Sequence, residues 1–426
     1  MRGWVQAARF YLDRRAMALL VLGFASGLPL LLVYSTLSFR LRQEGVTLSD
    51  IGWFSLAGMA YAGKFAWAPV VDHLALPGLT ARLGRRRSWL IVAQAVTAAC
   101  MVLLGLSDPA DGLVPVAFWA VALAFASATQ DIVVDAFRIE MLDADEQGGG
   151  AANFVNGYRV GTLAAGAGAL IIAETWGWVA AYAAMAALMA PAMAVALALP
   201  EPETPQAVRE EAGHDWRTRL NDAVALPFRQ FMTRDAWIVI LAFVAFYKYG
   251  DALLGAMANP FYSDMGFTGT EIAVVTKGWG LAMSLLGAVL GGLLTLRFGV
   301  LKALMATGIL QLAGNLAFAW LATGGKSIAI LSVAIAAENL TGAMATAAFV
   351  AYLSGLCDAQ FTATQYALLT SLTALARTLF AAGGGHLADA TGWAAFFIVT
   401  MAAAVPGLLL LAWLMRRAGG DVTARD

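Results

Sequence analysis

The stretch Phe125–Arg138, FASATQDIVVDAFR, holds Gln130, Asp131, Asp135 and Arg138 in a run otherwise as apolar as a lipid-facing helix. On a helix Asp131 and Asp135 stand four residues apart and share a face, with Arg138 one turn further along. Carboxylates at membrane depth are costly, so they face a cavity or a charged partner and mark transport pathways, proton relays or ion pairs. The same reasoning covers Lys248 and Asp251, three apart in another apolar run, the adjacent Glu338 and Asn339, and the cations Arg159 and Arg377. Lys64 and Lys277 also fall in apolar runs, where snorkelling or packing is the expected role.

Such residues need a bilayer around them, and the composition supplies one. Hydrophobic residues make up 60% of the 426-residue chain and charged residues 13%, and the mean hydropathy is +0.72. A soluble domain is about 45–50% apolar and about 25% charged. A net charge of -1 gives no basic surface for nucleic acid, so no nucleic-acid partner is expected. Cys100 and Cys357 lie in apolar contexts and build neither a disulfide framework nor a zinc site. His73, His214 and His386 have no metal-ligand spacing, so no metal and no cofactor is expected. No Walker-type phosphate loop is present to couple ATP, and Gly383-Gly384-Gly385 reads as close helix packing. The chain is therefore not read as an enzyme. Its first apolar run continues as a full-length span, which argues against a cleavable signal peptide.

Apolar runs of about 20 residues, long enough to cross a bilayer, are expected at 16–40, 51–72, 88–106, 113–141, 150–173, 178–199, 236–262, 271–296, 301–322, 327–356, 362–387 and 393–415. This is an all-α membrane protein of twelve transmembrane helices. Residues 200–235 form a polar, proline-bearing linker, with spaced apolar residues from Trp216 to Phe231 predicting a short interfacial amphipathic helix. The linker divides the chain into an N-terminal six-helix bundle, 1–199, and a C-terminal one, 236–426. Most of the 27 lysines and arginines fall on the side of the N-terminus, and only Arg40, Arg42 and Lys326 fall opposite. The positive-inside rule then makes both termini cytoplasmic.

The halves also echo one another. EGVTLSDIGWFSL (44–56) answers MGFTGTEIAVVTK (265–277), each with a loop glycine and then a capping residue and acid, Ser49-Asp50 and Thr270-Glu271. ETWGWVAAY (174–182) answers DATGWAAFF (389–397). Chance similarity of apolar helices is the competing reading, but loops and linker agree as well. A parallel duplication of six spans is the architecture of the major facilitator superfamily, two bundles related by a pseudo-two-fold axis with substrate near the midplane between them. Asp72 at the end of the second span and LGRRR (83–87) before the third resemble that superfamily's cytoplasmic loop, here lengthened by LALPGLTAR. The C-terminal counterpart, GGLLTLRFG (291–299), has Thr295 and Leu296 where the acid would stand. Asp72 with Arg85, Arg86 and Arg87 is expected to form a latch that breaks when the cytoplasmic side opens; the alternative is that the arginines set topology alone.

GFASGLPL (23–30), SATQDIVVDAFR (127–138), ENLTGAMATAAFVAYL (338–353) and FTATQYALLTSL (361–372) resemble the AmpG-type muropeptide permeases of that superfamily, in both halves and over nearly the whole chain. The resemblance implies proton-driven import of N-acetylglucosaminyl-anhydro-N-acetylmuramyl peptides across a bacterial inner membrane for cell-wall recycling, by a monomer. An acetyl-coenzyme A carrier or a drug exporter is the alternative. In that architecture the first, fourth, seventh and tenth helices line the cavity. A sugar-peptide with carboxylates calls for cations and donors, which assigns Arg159, Lys248, Gln130 and Asn339 to it, with Asp251, Arg377, Tyr158 and Gln365 beside them. A transported proton needs a carboxylate whose protonation depends on desolvation and on an approaching cation, a description met by Asp131 and Glu338. An Asp131–Arg159 ion pair and a Glu338–Arg377 ion pair are the structural alternatives. Asp135 and Arg138, nearer the cytoplasm, are expected to join Asp72 and the arginine loop as the gate.

Overall fold

Ten helical stretches are individually long and apolar enough to span a bilayer among the described residues of the computed structural model, 4–203, 226–268, 271–272 and 274–421. Twelve crossings nevertheless form, for two physical reasons. Gln147–Ala198 runs for 52 residues, about 78 Å at 1.5 Å per residue, more than twice the hydrocarbon thickness. Gly177, at φ 82° and ψ 170°, turns the chain inside it and separates the fifth crossing from the sixth. The second crossing is broken into Leu48–Phe54, Ser55–Gly58, Met59–Gly63, Lys64–Ala66 and Ala68–His73, each too short to span alone.

The first crossing is Arg14–Val33 continued by Ser35–Gln43, the third Arg85–Leu106 and the fourth Leu113–Met141. The seventh breaks at Lys248, between Trp237–Phe246 and Tyr249–Asp264, so the continuous 236–262 helix expected there is two helices. The eighth is Val274–Trp279 with Gly280–Phe298, the ninth Val300–Gly324 and the tenth Ile328–Gly355. The eleventh is Thr362–Ala382 with Gly384–Thr391, and the twelfth Trp393–Asp421. An even number of crossings puts both ends of the described chain on the side of Arg85–Arg87, called here the arginine-rich face. Most of the expected amphipathic linker helix lies outside the described residues. Its end, 226–232, is helical and buries Phe231 in the second bundle.

The duplication is written in the backbone. Among the described residues, eight of the nine glycines with left-handed φ form four pairs at matching points of the halves, Gly45 and Gly266, Gly84 and Gly299, Gly112 and Gly325, Gly177 and Gly392. The ninth, Gly78, sits in the extra loop of the N-terminal half. After Gly45 the N–H of Asp50 donates to Thr47 Oγ1 (3.2 Å), and after Gly266 that of Glu271 donates to Thr268 Oγ1 (3.3 Å). The capping residues are thus Thr47 and Thr268, two positions before the expected Ser49 and Thr270, because a capping box sets the acid three positions after the cap. Thr270 itself lies outside the described residues. The Thr268 N–H, with Lys326 beyond it, holds the Glu271 carboxyl below its usual range.

Lipid offers helices no hydrophobic reason to associate, so close packing of small residues must do it. Gly23 and Gly27 on the first crossing lie against the carbonyls of Phe154 and Tyr158 on the fifth. Gly157 and Gly161 lie reciprocally against Leu20 and Phe24. Gly27 therefore serves close packing. Between bundles the fifth crossing meets the eighth and tenth, and the eleventh meets the second and fourth. Gly161→Ala would push a methyl into the Phe24 carbonyl and is expected to cost about 1–3 kcal/mol. Gly168→Ala, with open space around it, should be neutral. Thermal melts of both variants in detergent check this, and equal melting temperatures would contradict the close-contact account.

Candidate functional site

The arginine-rich face is closed around one buried carboxylate. Asp72 has no exposed surface and accepts donors from both bundles. Its Oδ2 accepts the N–H (2.8 Å) and Oγ1 hydroxyl (2.6 Å) of Thr364, and its Oδ1 accepts the Ala363 N–H (3.2 Å) and Arg86 Nη2 (2.7 Å). Ala363 and Thr364 open the eleventh crossing, where free N–H groups and the positive end of the helix dipole favour an anion. Asp72 thus caps a helix of the opposite bundle. Arg86, also buried, is held on its other side by Glu140, with Nε at 2.9 and 3.1 Å and Nη2 at 2.5 Å. Arg85 lies 3.7 Å from Glu140 and donates to the Asp72 carbonyl. Arg87, expected at the gate, instead donates to the Ala196 (2.9 Å) and Leu197 carbonyls at the end of the sixth crossing. Glu201 caps the third crossing through the N–H groups of Arg86 (2.6 Å) and Arg87 (3.0 Å). Thr295, the C-terminal counterpart of the acid, bonds only backward to Gly291 O (2.8 Å), so this contact belongs to the N-terminal half.

Asp135 and Arg138 do not join this network, because a nearer cation holds Asp135. Lys64, expected to snorkel, is buried with its Nζ 3.7 Å from Asp135, and Arg138 lies 3.7 Å from the same carboxylate. Arg138 is fully buried, donates from Nη1 to Ser354 Oγ of the tenth crossing (3.0 Å) and lies over the rings of Phe154 and Tyr366. One turn outward, Asp131 has its Oδ1 buried without a hydrogen-bond partner, and its charged neighbours are Lys64 and Asp135, not Arg159. The hydroxyls of Ser26, Tyr61 and Ser127 are likewise buried and unbonded, and Tyr158 lies within electrostatic reach. Gln130 has no exposed surface and neither amide atom bonded. Gln130 is therefore buried within the N-terminal bundle, and Asp131 and Tyr158, both partly exposed, are not among the residues that line the central cavity on which all three were expected.

That cavity, of about 610 Å³, is lined by the fifth, seventh, eighth, tenth and eleventh crossings. Arg159 approaches from the N-terminal bundle; Lys248, Asp251, Glu338, Asn339 and Arg377 come from the C-terminal one. Lys248 stands at the break in the seventh crossing, and its Nζ donates to Asp251 Oδ2 (2.9 Å) and Gly342 O (3.4 Å). Gln311 also donates to Asp251, which fixes that carboxylate within its own bundle. Asn339 bridges Ser284 (2.8 Å) and Glu338 (2.9 Å). Glu338 is in electrostatic reach of Arg159 across the bundles and of Lys248 and Arg377, with no direct Glu338–Arg377 ion pair among the described residues. Tyr366, Thr370, Thr373 and Thr378 continue the lining along the eleventh crossing. Gln365, expected there, instead accepts the Asp358 N–H (2.7 Å) and donates to Pro227 O (3.3 Å), tying the linker to the eleventh crossing.

Lys64, Glu140, Ser354 and Thr364 were not singled out as site residues from the sequence. Two signals pointed to the first two. A lysine in mid-span must find an acid, and one aspartate cannot balance three consecutive arginines. Ser354 and Thr364 carry no such signal, being ordinary small polar residues at helix ends.

The chain is 41% identical to the anhydromuropeptide permease of Escherichia coli (strain K12) over 409 residues, covering 95% of this chain and 81% of that one. It is 37% identical to the transporter AmpG 4 of Rickettsia felis, over 96% of this chain and 98% of the relative. Residues 15–111 match the family described as Acetyl-coenzyme A transporter 1. Among solved structures, a double-tryptophan mutant of XylE aligns with a TM-score of 0.66 at 13% identity, over 96% of this chain and 95% of that one. The human organic anion transporter MFSD10 aligns at 0.62 and 15%, over 96% and 100%. The structural likenesses speak for the major facilitator fold, and the sequence relatives speak for the family. This multi-pass membrane protein is a transporter and belongs to the AmpG-type permease family of the major facilitator superfamily.

Proposed function

We propose that this transporter imports N-acetylglucosaminyl-anhydro-N-acetylmuramyl peptides from the periplasm to the cytoplasm for cell-wall recycling, in symport with protons, across the inner membrane with both termini cytoplasmic. The observation that carries this reading is the 41% identity over 95% of the chain to a permease named for that cargo. The cavity supports it. Its volume of about 610 Å³ falls in the range of small-molecule sites, roughly 300–1,000 Å³. Arg159, Lys248 and Arg377 supply cations for the carboxylates of a peptide. Asn339 and the threonine hydroxyls supply hydrogen bonds, and Tyr366 supplies a ring for a sugar face. With the arginine-rich face closed by Asp72, the molecule is poised to receive cargo from the opposite side. Asp131 and Glu338 are the proposed proton sites, one inside the N-terminal bundle and one on the cavity.

The acetyl-coenzyme A reading rests on the match over residues 15–111. That window holds the first two crossings, the third and the gate arginines. The residues lining the cavity begin at Arg159, so the match bears on scaffold and gate and leaves the cargo open.

Uptake of labelled anhydromuropeptide into proteoliposomes under an imposed inward proton gradient tests the proposal directly. Accumulation above the gradient-free level is expected, and uptake indifferent to the gradient would refute proton symport. Asp131→Asn should abolish gradient-driven accumulation while the protein stays folded; normal accumulation by that variant would remove Asp131 from coupling. Arg377→Gln, which removes one charged donor, should raise the half-saturating concentration about 10- to 100-fold, the equivalent of about 1.5–3 kcal/mol. An unchanged value would take Arg377 out of the cargo site.

A further inference from the structure

One buried cation is used by neither the gate nor the cavity. Lys64 sits in the short 3-10 segment Lys64–Ala66, flanked by Gly63 and Trp67, where the second crossing is broken. A cation in such a segment moves with a few backbone torsions, and Gly63 leaves room beside it, with only the Trp67 ring near. Lys64 lies 3.7 Å from Asp135 and within electrostatic reach of Asp131, one turn away on the same helix. Asp131 has Lys64 and Asp135 as its charged neighbours, whereas Asp135 has Lys64 and Arg138. Arg138 in turn makes the Ser354 bond that crosses the bundles (3.0 Å). The groups facing this row from the surrounding helices are Ser26 and Tyr34, Tyr61, Ser127, Tyr158, Tyr366 and Cys357, all neutral. Two acids and two cations thus alternate from Asp131, whose Oδ1 is buried without a hydrogen-bond partner, to the bond between the halves.

We propose that Lys64 is the positioning residue that transmits the charge of Asp131 to the contact between the bundles. This rests on the reading of Asp131 as a proton site. Ionised Asp131 draws on Lys64 and leaves Asp135 to hold Arg138. When a proton from the outer aqueous phase settles on Asp131, Lys64 turns wholly to Asp135, which then holds Arg138 less and loosens its bond to Ser354. One lysine shared by two acids makes proton occupancy and the contact between the bundles a single equilibrium, since a cation between two carboxylates favours whichever remains charged.

The test uses the full chain in nanodiscs, without cargo, in a Cys100→Ser/Cys357→Ser background with spin labels at Arg82→Cys and Ala359→Cys on the two sides of the arginine-rich face. In the otherwise unmodified protein the population with separated labels should change about threefold or more between mildly alkaline and mildly acidic pH. Lys64→Gln should flatten that response, and Lys64→Arg should keep it. Lys64→Gln combined with Asp131→Asn removes the pair together and should match Asp131→Asn alone, which keeps the test open if Lys64→Gln folds poorly. A response of Lys64→Gln like that of the parent, a flat response of Lys64→Arg, or a parent that does not respond to pH would each overturn the proposal. Failure of the cargo reading looks different: no muropeptide uptake by the parent, with the label distances still responding to pH through Lys64.

Discussion

A carboxylate with no exposed surface must have every oxygen satisfied, and Asp72 meets that demand only while the eleventh crossing is docked. Two of its four donors are backbone N–H groups of Ala363 and Thr364, a third is the Thr364 hydroxyl and the fourth is Arg86. Moving the bundles apart removes three of the four at once. On the proposed role of Asp72 as a gate, the stranded charge costs several kcal/mol until water reaches it, which disfavours intermediate separations. Glu140 holds Arg86 from its own bundle, through contacts that do not involve the eleventh crossing. Ala363 and Ala367 pack into the apolar core of the N-terminal bundle, so the polar contact and the apolar seal break together.

The chain is duplicated in backbone and divergent in chemistry. Paired left-handed glycines and paired threonine capping boxes recur in both halves, which fixes where each loop turns and each helix starts. The charges do not recur. The N-terminal bundle holds the latch and the buried Asp131–Lys64–Asp135–Arg138 row. The C-terminal bundle supplies five of the six charged or amide groups named on the cavity, and Arg159 alone comes from the other side. The cavity charges and the Asp72 network are therefore concentrated in opposite bundles, and Arg138 with Ser354 is one of the polar contacts that join the two.

Much of this was legible in the sequence, and the failures have physical causes. Span number and duplication follow from long apolar runs and turn residues, which are local signals. The breaks at Lys248 and Lys64 were invisible because hydropathy counts residues and not backbone torsions. Spacing put Asp131 on the fourth crossing, but a helix has several faces and no single-chain pattern says which one meets the cavity. Asp131 was given Arg159 as its rival partner, whereas Lys64 on the second crossing is nearer, since pairing across helices depends on packing angles that spacing does not encode. Gln365 shows the same limit: one turn from the helix start, it ties down the linker instead of lining the cavity.

The central claim is that Asp72, through the helix start it caps, holds the arginine-rich face shut. A cysteine at Ala367, buried against the N-terminal bundle in the closed state, reports on that directly in a Cys100→Ser/Cys357→Ser background. With Asp72 intact, a membrane-impermeant maleimide supplied to the arginine-rich side should label it slowly. Asp72→Asn should raise the labelling rate at least about tenfold, the equivalent of about 1.4 kcal/mol in the closed-to-open balance. An unchanged rate in a folded Asp72→Asn protein would contradict the account.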